Sequence, residues 1–126
     1  MTEHMPTKET LDRIRNGSPE GPIVLLNLLK YRAPGGREAM TRYGAITAGL
    51  IGEAGGELIF GGKAGPVLTG SDTDWDDVLI VRFPSAAHFL AMIEGDTYTK
   101  QAAPIRAEAL EATVWMAMHP FEGFEG

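Results

Sequence analysis

Ile23-Val24-Leu25-Leu26-Asn27-Leu28-Leu29-Lys30-Tyr31 is apolar on both of the faces that an extended chain presents. Successive side chains of a strand alternate. One face therefore carries Ile23, Leu25, Asn27, Leu29 and Tyr31, and the other carries Val24, Leu26, Leu28 and Lys30. A strand that is apolar on both sides must be covered on both. This reads as the central strand of a sheet.

The chain on either side of it repeats one pattern twice. Ala33-Pro34-Gly35-Gly36 is a loop, and the segment around Arg37–Ala54 places Met40, Tyr43, Ile46 or Thr47, Leu50 and Ala54 on one helical stripe. Gly55-Gly56 stops that helix as a left-handed cap. Glu57–Leu68 reads as the next strand, bulged or bent at Gly61-Gly62 and Gly65-Pro66 and resuming at Val67-Leu68-Thr69. Gly70–Asp74 is a turn. Then the plan recurs, with a strand over Asp76–Phe83 opened by Trp75, a helical region over Ser85–Ala109 and a last strand over Ala112–Met118. In the helical region Ser85 caps the start and Ala86, Phe89, Leu90 and Ile93 form the stripe. Gly95-Asp96 breaks it, and Asp96 can cap a continuation carrying Tyr98, Ala102, Ile105 and Ala109, which Pro104 kinks or restarts. Two strand-helix-strand units make the ferredoxin-like βαββαβ plan, an α+β fold with a four-stranded antiparallel sheet. A short helix at about 7–15, capped by Thr7, precedes this core at 22–119, and 120–126 reads as a loose tail.

Length and composition set the class. The chain has 126 residues, enough for one domain with its own core. It has no cysteine, so disulfides, thiol nucleophiles and thiolate metal sites are excluded. The formal charge is −6, and an acidic chain without a basic stripe is a poor partner for nucleic acid. No apolar run approaches the roughly 18 residues of a membrane span, and Met1–Lys8 lacks the layout of a signal peptide. A cytoplasmic protein that binds neither membrane nor nucleic acid is the expectation.

The helices of such a fold cover one sheet face, yet the alternation along Ile23–Tyr31 and Trp75–Phe83 makes both faces apolar. A monomer rarely exposes a patch of that size. A homodimer packing the two open faces together, its sheets curved into a shared barrel, is the expected partner arrangement. The rival is a monomer whose open face is covered by the N-terminal helix and the tail.

A set of ordered pieces now stands out: Tyr43, Gly55-Gly56, Asp74-Trp75, Phe83-Pro84-Ser85, Asp96-Thr97-Tyr98 and Arg106. Leu26–Arg32 looks like the first strand of one subgroup. From about Ile23 to about Met118 the chain resembles domain-of-unknown-function family 1330, within the dimeric α+β barrel superfamily. Thr97 stands where that pattern usually has Pro or Glu, and Pro104 is unusual. The resemblance implies the fold and dimerisation, and no activity. Relatives in the wider superfamily include cofactor-independent monooxygenases, haem-degrading enzymes and lactone isomerases, and a shared fold does not transfer their chemistry.

The chemistry-bearing residues are few. Asn27 interrupts an apolar strand, and a buried amide needs a partner, either a ligand or a neighbouring loop. Tyr43 sits on the core-facing stripe, where its hydroxyl also needs a partner. Tyr98 follows the same logic. Arg106, if near Tyr43 and Tyr98, would clamp a carboxylate bidentately; the commoner situation is an exposed arginine pairing with Glu108 or Glu111. His88 lies beside the apolar stripe and has the intrinsic range of a general base; such a histidine is more often a boundary residue. The three scattered histidines share no ligand spacing, the acidic Asp72–Asp77 turn lacks an EF-hand pattern, and the glycine-rich segment is no phosphate loop. No metal and no cofactor is expected.

Three functions fit. The first is a dimeric enzyme or binding protein for a small organic acid or aromatic compound, with Arg106, Tyr43 and Asn27 as ligand-binding residues and His88 or Tyr98 moving a proton. The second is a non-catalytic homodimeric module in which these residues tie helices to the sheet. The third is a haem- or quinone-linked oxygenase.

Overall fold

A computed structural model of the chain describes residues 4–124, so Met1–Glu3 and the last residues of the expected tail, Glu125–Gly126, lie outside the described residues. The element order is α1 (Lys8–Gly17), β1 (Ile23–Tyr31), α2 (Gly36–Glu53), β2 (Glu57–Lys63), β3 (Asp77–Phe83), α3 (Ala86–Ile93), a π-turn (Tyr98–Ala102), α4 (Ala103–Ala109) and β4 (Leu110–Met118). The four strands form one antiparallel sheet in the order β2-β3-β1-β4. β1 is central, as its two apolar faces require.

The local signals are those expected of the residues. Thr7 caps α1 by accepting from the Thr10 amide, and Ser85 caps α3 by accepting from that of His88. Gly55, with φ +78°, reverses the chain after α2, and the Gly56 amide bonds the Ile51 carbonyl at 2.8 Å. The helices cover one face of the sheet. Ile23, Leu25, Leu29, Val81 and Phe83 point into that layer and meet Met40, Tyr43, Phe89, Leu90 and Ile93. The start of α2 presses so closely on the end of α4 that a Cβ at Gly36 would stand 2.5 Å from the Ala109 carbonyl oxygen.

Three expectations are corrected. The second strand stops at Lys63 and does not resume at Val67–Thr69: Leu68 is 94 % exposed there, because β3 offers no register beyond Lys63↔Asp77 and Pro66 lacks a donor. The bulge falls between Leu58 and Phe60, while Gly61 and Gly62 pair regularly with Leu79 and Val78. Asp96 does not cap a helix; its carboxylate lies 3.6 Å from Lys100 Nζ.

The opposite sheet face is built from Val24, Leu26, Leu28, Val78, Ile80, Val114 and Met116, with Phe60 at the β2 edge. Phe60 is 52 % and Met116 46 % exposed. Neither α1 nor the turn around Phe121–Phe124 covers this face fully.

Candidate functional site

Arg106 lies with Ala109 on the inward side of the seven-residue α4, and it is 2 % exposed. The π-turn before it explains why. A π-turn accommodates Pro104, whose ring would clash with the Lys100 carbonyl in a continuous α-helix. In it the Ala103 amide reaches back five residues to the Tyr98 carbonyl. The extra residue shifts the phase of the helix, so the buried positions run Tyr98, Ala102, Arg106, Ala109 rather than through Ile105. The exposed arginine paired with Glu108 or Glu111 is therefore overturned. The end of α4 is held by Arg32, whose Nε donates to the Glu108 carbonyl at 3.1 Å and whose Nη2 donates to that of Leu110 at 2.9 Å.

The Arg106 guanidinium meets the sheet at β1 and β4. Its Nη2 donates to Asn27 Oδ1 at 3.0 Å and to Thr113 Oγ1 at 3.2 Å, and the Thr113 hydroxyl in turn donates to the Leu28 carbonyl at 2.8 Å. Its carbon stands 4.1 Å from the Trp115 ring centroid and 5.8 Å from that of Tyr43. Asn27 and Trp115 are direct cross-strand neighbours, which puts them on the same face. Arg106 Nε and Trp115 Nε1 are buried and have no hydrogen-bond partner. Among the described residues no carboxylate lies within 4.0 Å of this guanidinium.

Tyr43 and Tyr98 complete the cluster. Their hydroxyls are 2.7 Å apart and their rings meet edge to face. Tyr98 is 1 % exposed. Burial, reinforced by the neighbouring Tyr43, pushes its phenol well above the usual range, against a smaller opposing pull from Arg106. Tyr98 thus holds its proton at neutral pH and can only donate or relay it.

The structure brings together Asn27, Tyr43, Tyr98 and Arg106. It places His88 elsewhere, exposed at the start of α3 with Nδ1 2.6 Å from Ser85 Oγ. Thr113 and Trp115 join the cluster without having been singled out for chemistry; alternation along β4 opposite Asn27 is the signal that finds them. The acidic turn is engaged with its surroundings. Asp76 accepts from the Tyr31 amide at 2.8 Å, and Asp77 accepts from the Tyr31 hydroxyl at 2.5 Å and from Arg37 at 3.0 Å. Burial, and then the Asp77 carboxylate, raise the Tyr31 phenol as well. Among the described residues no group of three or more His, Asp or Glu is placed to hold a metal ion, and no helix is long and apolar enough to cross a membrane.

A one-sided helical layer on a β2-β3-β1-β4 sheet, with a polar cluster sealed between them, defines an α+β protein of the ferredoxin-like class. The chain belongs to the family described as a domain of unknown function, DUF1330, whose signature matches residues 33–119. It is similar to a protein of unknown function, RPA0582, from Rhodopseudomonas palustris, with 32 % identity, a TM-score of 0.85, and coverage of 94 % of this chain and 96 % of that one. A dimeric ferredoxin-like protein of unknown function from Jannaschia shares the fold at 15 % identity and TM-score 0.60, covering 79 % of this chain and 99 % of that one. So does a hydroxynitrile lyase from Passiflora edulis, at 17 % identity and TM-score 0.61, covering 79 % and 94 %. A comparison with functionally curated proteins returns no match.

Proposed function

We infer that this protein is a homodimer that binds a small organic acid between its helices and its sheet, with Arg106 neutralising the acid group. One observation carries the reading: a guanidinium that is 2 % exposed faces two neutral oxygens and no carboxylate. A guanidinium is charged throughout the range in which proteins fold, and burying it without a counter-charge costs several kcal/mol. Neutral acceptors and two aromatic rings offset part of that cost. An anionic ligand offsets the remainder, so this is where an acid gains most from binding.

The neighbouring groups suit that ligand. Asn27 and Thr113 hold Nη2 by accepting from it, which fixes the guanidinium plane and leaves Nε–H for the acid. The Tyr98–Tyr43 pair is a chain of two hydroxyls beside the charge, and a proton required by a bound carbonyl or enolate would come from it. Of the two candidate proton carriers, Tyr98 shares the cluster and His88 does not. Dimerisation is supported by the apolar open sheet face, with Leu26, Ile80, Met116 and Phe60 on it, and by the fold likeness to proteins described as dimeric ferredoxin-like.

The test is thermal unfolding of the full chain in the presence of acetate, benzoate and other small carboxylates. Wild type is expected to be stabilised, and Arg106→Gln, with its helical circular dichroism intact, is expected to lose the effect. A folded wild type that no carboxylate stabilises would instead favour the non-catalytic module.

A further inference from the structure

α1 contributes no buried residue to the fold. It rests on the core through half-buried Met5, Leu11 and Ile14, and it is tied to α3 by the Arg15–Glu94 ion pair. Its connection to β1 is 18–22, which includes Gly21 at φ +101° and two prolines. Between α1 and β4 lies a groove of about 1540 Å³ whose far wall includes Leu25, Phe89, Thr113, Trp115, Ala117 and His119. Two members of that wall, Thr113 and Trp115, are the residues that touch the Arg106 guanidinium from the sheet side. The groove and the acid-binding cluster therefore share a wall.

Two N–H donors at this wall lack acceptors, one on Trp115 in the groove lining and one on Arg106 just outside it. Trp115 Nε1 and Arg106 Nε are both buried and unpartnered, and their groups stack with 4.1 Å between guanidinium carbon and ring centroid. Both donors belong to one stacked pair, and a carboxylate has two oxygens to offer them. Apart from Thr113 and His119, whose Nδ1 is also buried without a partner, the other side chains of the wall are apolar. What this wall lacks is an anionic oxygen pair attached to an apolar body.

We propose that the groove beneath α1 takes the apolar body of a monocarboxylic acid, with its carboxylate accepting from Trp115 Nε1 and Arg106 Nε and with α1 as the movable cover. This rests on the reading of Arg106 as the acid-binding centre, and extends it to the size and shape of the ligand. Because both nitrogens are sealed from water, the ligand reaches them when α1 lifts. The cover can lift because it buries nothing fully and is fastened by one exposed ion pair.

The experiment is calorimetric titration of the full chain with acetate, butanoate, hexanoate and octanoate, in wild type, Trp115→Phe and Arg106→Gln. Complete burial of a methylene tightens binding about fourfold, so Kd is expected to fall by about that factor per carbon until the groove is filled. Trp115→Phe keeps a ring against Arg106 and removes the N–H; it is expected to weaken hexanoate at least tenfold. Amide hydrogen exchange in α1 is expected to slow when hexanoate is bound. Equal Kd values for acetate and hexanoate, still abolished by Arg106→Gln, overturn the groove and leave the acid centre standing. Wild-type affinity for hexanoate in Trp115→Phe overturns the role of the indole. No binding of any alkanoate overturns both readings together.

Discussion

Asn27 and Arg106 are 79 positions apart in the chain and 3.0 Å apart in the fold, the amide oxygen accepting from a guanidinium that is closed off from water. The bond joins the central strand to the last turn of helix before β4. It holds the charge where the helical layer and the sheet meet.

Removing that acceptor strands the charge. Asn27→Leu is expected to lower stability by about 2–4 kcal/mol, since a buried cation loses one of its two side-chain acceptors. Adding Arg106→Met to the same chain is expected to recover most of the loss, because two apolar side chains then replace a broken pair. Urea unfolding at one fixed protein concentration checks both, the fixed concentration being needed for a protein that associates. A double variant destabilised by the sum of what Asn27→Leu and Arg106→Met cost singly would show that the pair is not coupled.

Alkaline pH separates Tyr98 from an ordinary tyrosine. In the unfolded chain its phenol ionises near pH 10, whereas burial holds the folded one above that. Above about pH 10 the unfolded state therefore binds fewer protons than the folded state, and stability falls as pH rises. Below that point the group contributes no slope. Tyr98→Phe is expected to flatten the alkaline limb of a melting-temperature profile without abolishing it, since Tyr31 is raised too.

The open sheet face predicts the assembly. Phe60→Glu with Leu26→Lys places two charges on that face, away from the Arg106 cluster. Sedimentation is expected to show a dimer for wild type at micromolar concentration and a folded single copy for the double variant. A wild type that sediments as a stable single copy with its sheet intact would contradict dimerisation through this face.

Glycines at two places in α2 give opposite results. At Gly44 a Cβ meets open space on an exposed turn, so Gly44→Ala is expected to stabilise by about 0.5–1 kcal/mol. At Gly36 the new carbon would collide with the Ala109 carbonyl, and Gly36→Ala is expected to destabilise by about 1–3 kcal/mol. Thermal melts of the two variants check the contrast.

The fastening of α1 can be loosened alone. Arg15 and Glu94 are both partly exposed, so Glu94→Gln is expected to cost at most about 1 kcal/mol. In hydrogen exchange this reads as up to about fivefold faster opening of α1 amides, with β1 unaffected.

Much of the architecture is legible in the residues because it follows from short-range rules. The double apolar face of Ile23–Tyr31, the Thr7 and Ser85 caps and the reversal at Gly55 each act within a few residues of themselves. The site is only half legible. Asn27, Tyr43 and Tyr98 can be picked out because a polar atom on an apolar stripe demands a partner. Arg106 reads as exposed because an ordinary helical repeat carries the stripe through Ile105, and only the widened turn ahead of it changes the phase. Thr113 gives no sign at all until β4 is aligned against β1. The misplaced strand at Val67–Thr69 has a similar cause: its composition suits a strand, but the fold offers it no neighbour.

The widened turn at Tyr98–Ala102 absorbs the rotation of one residue. Rewind it as ordinary α-helix with no residue removed, and the segment after it would rotate by about 100°, swinging the cation out to solvent and an isoleucine in. Homologues of identical topology would then divide into those with a charged interior and those with an oily one. The division would follow whether that turn is wide or regular rather than any substitution at the charged position itself.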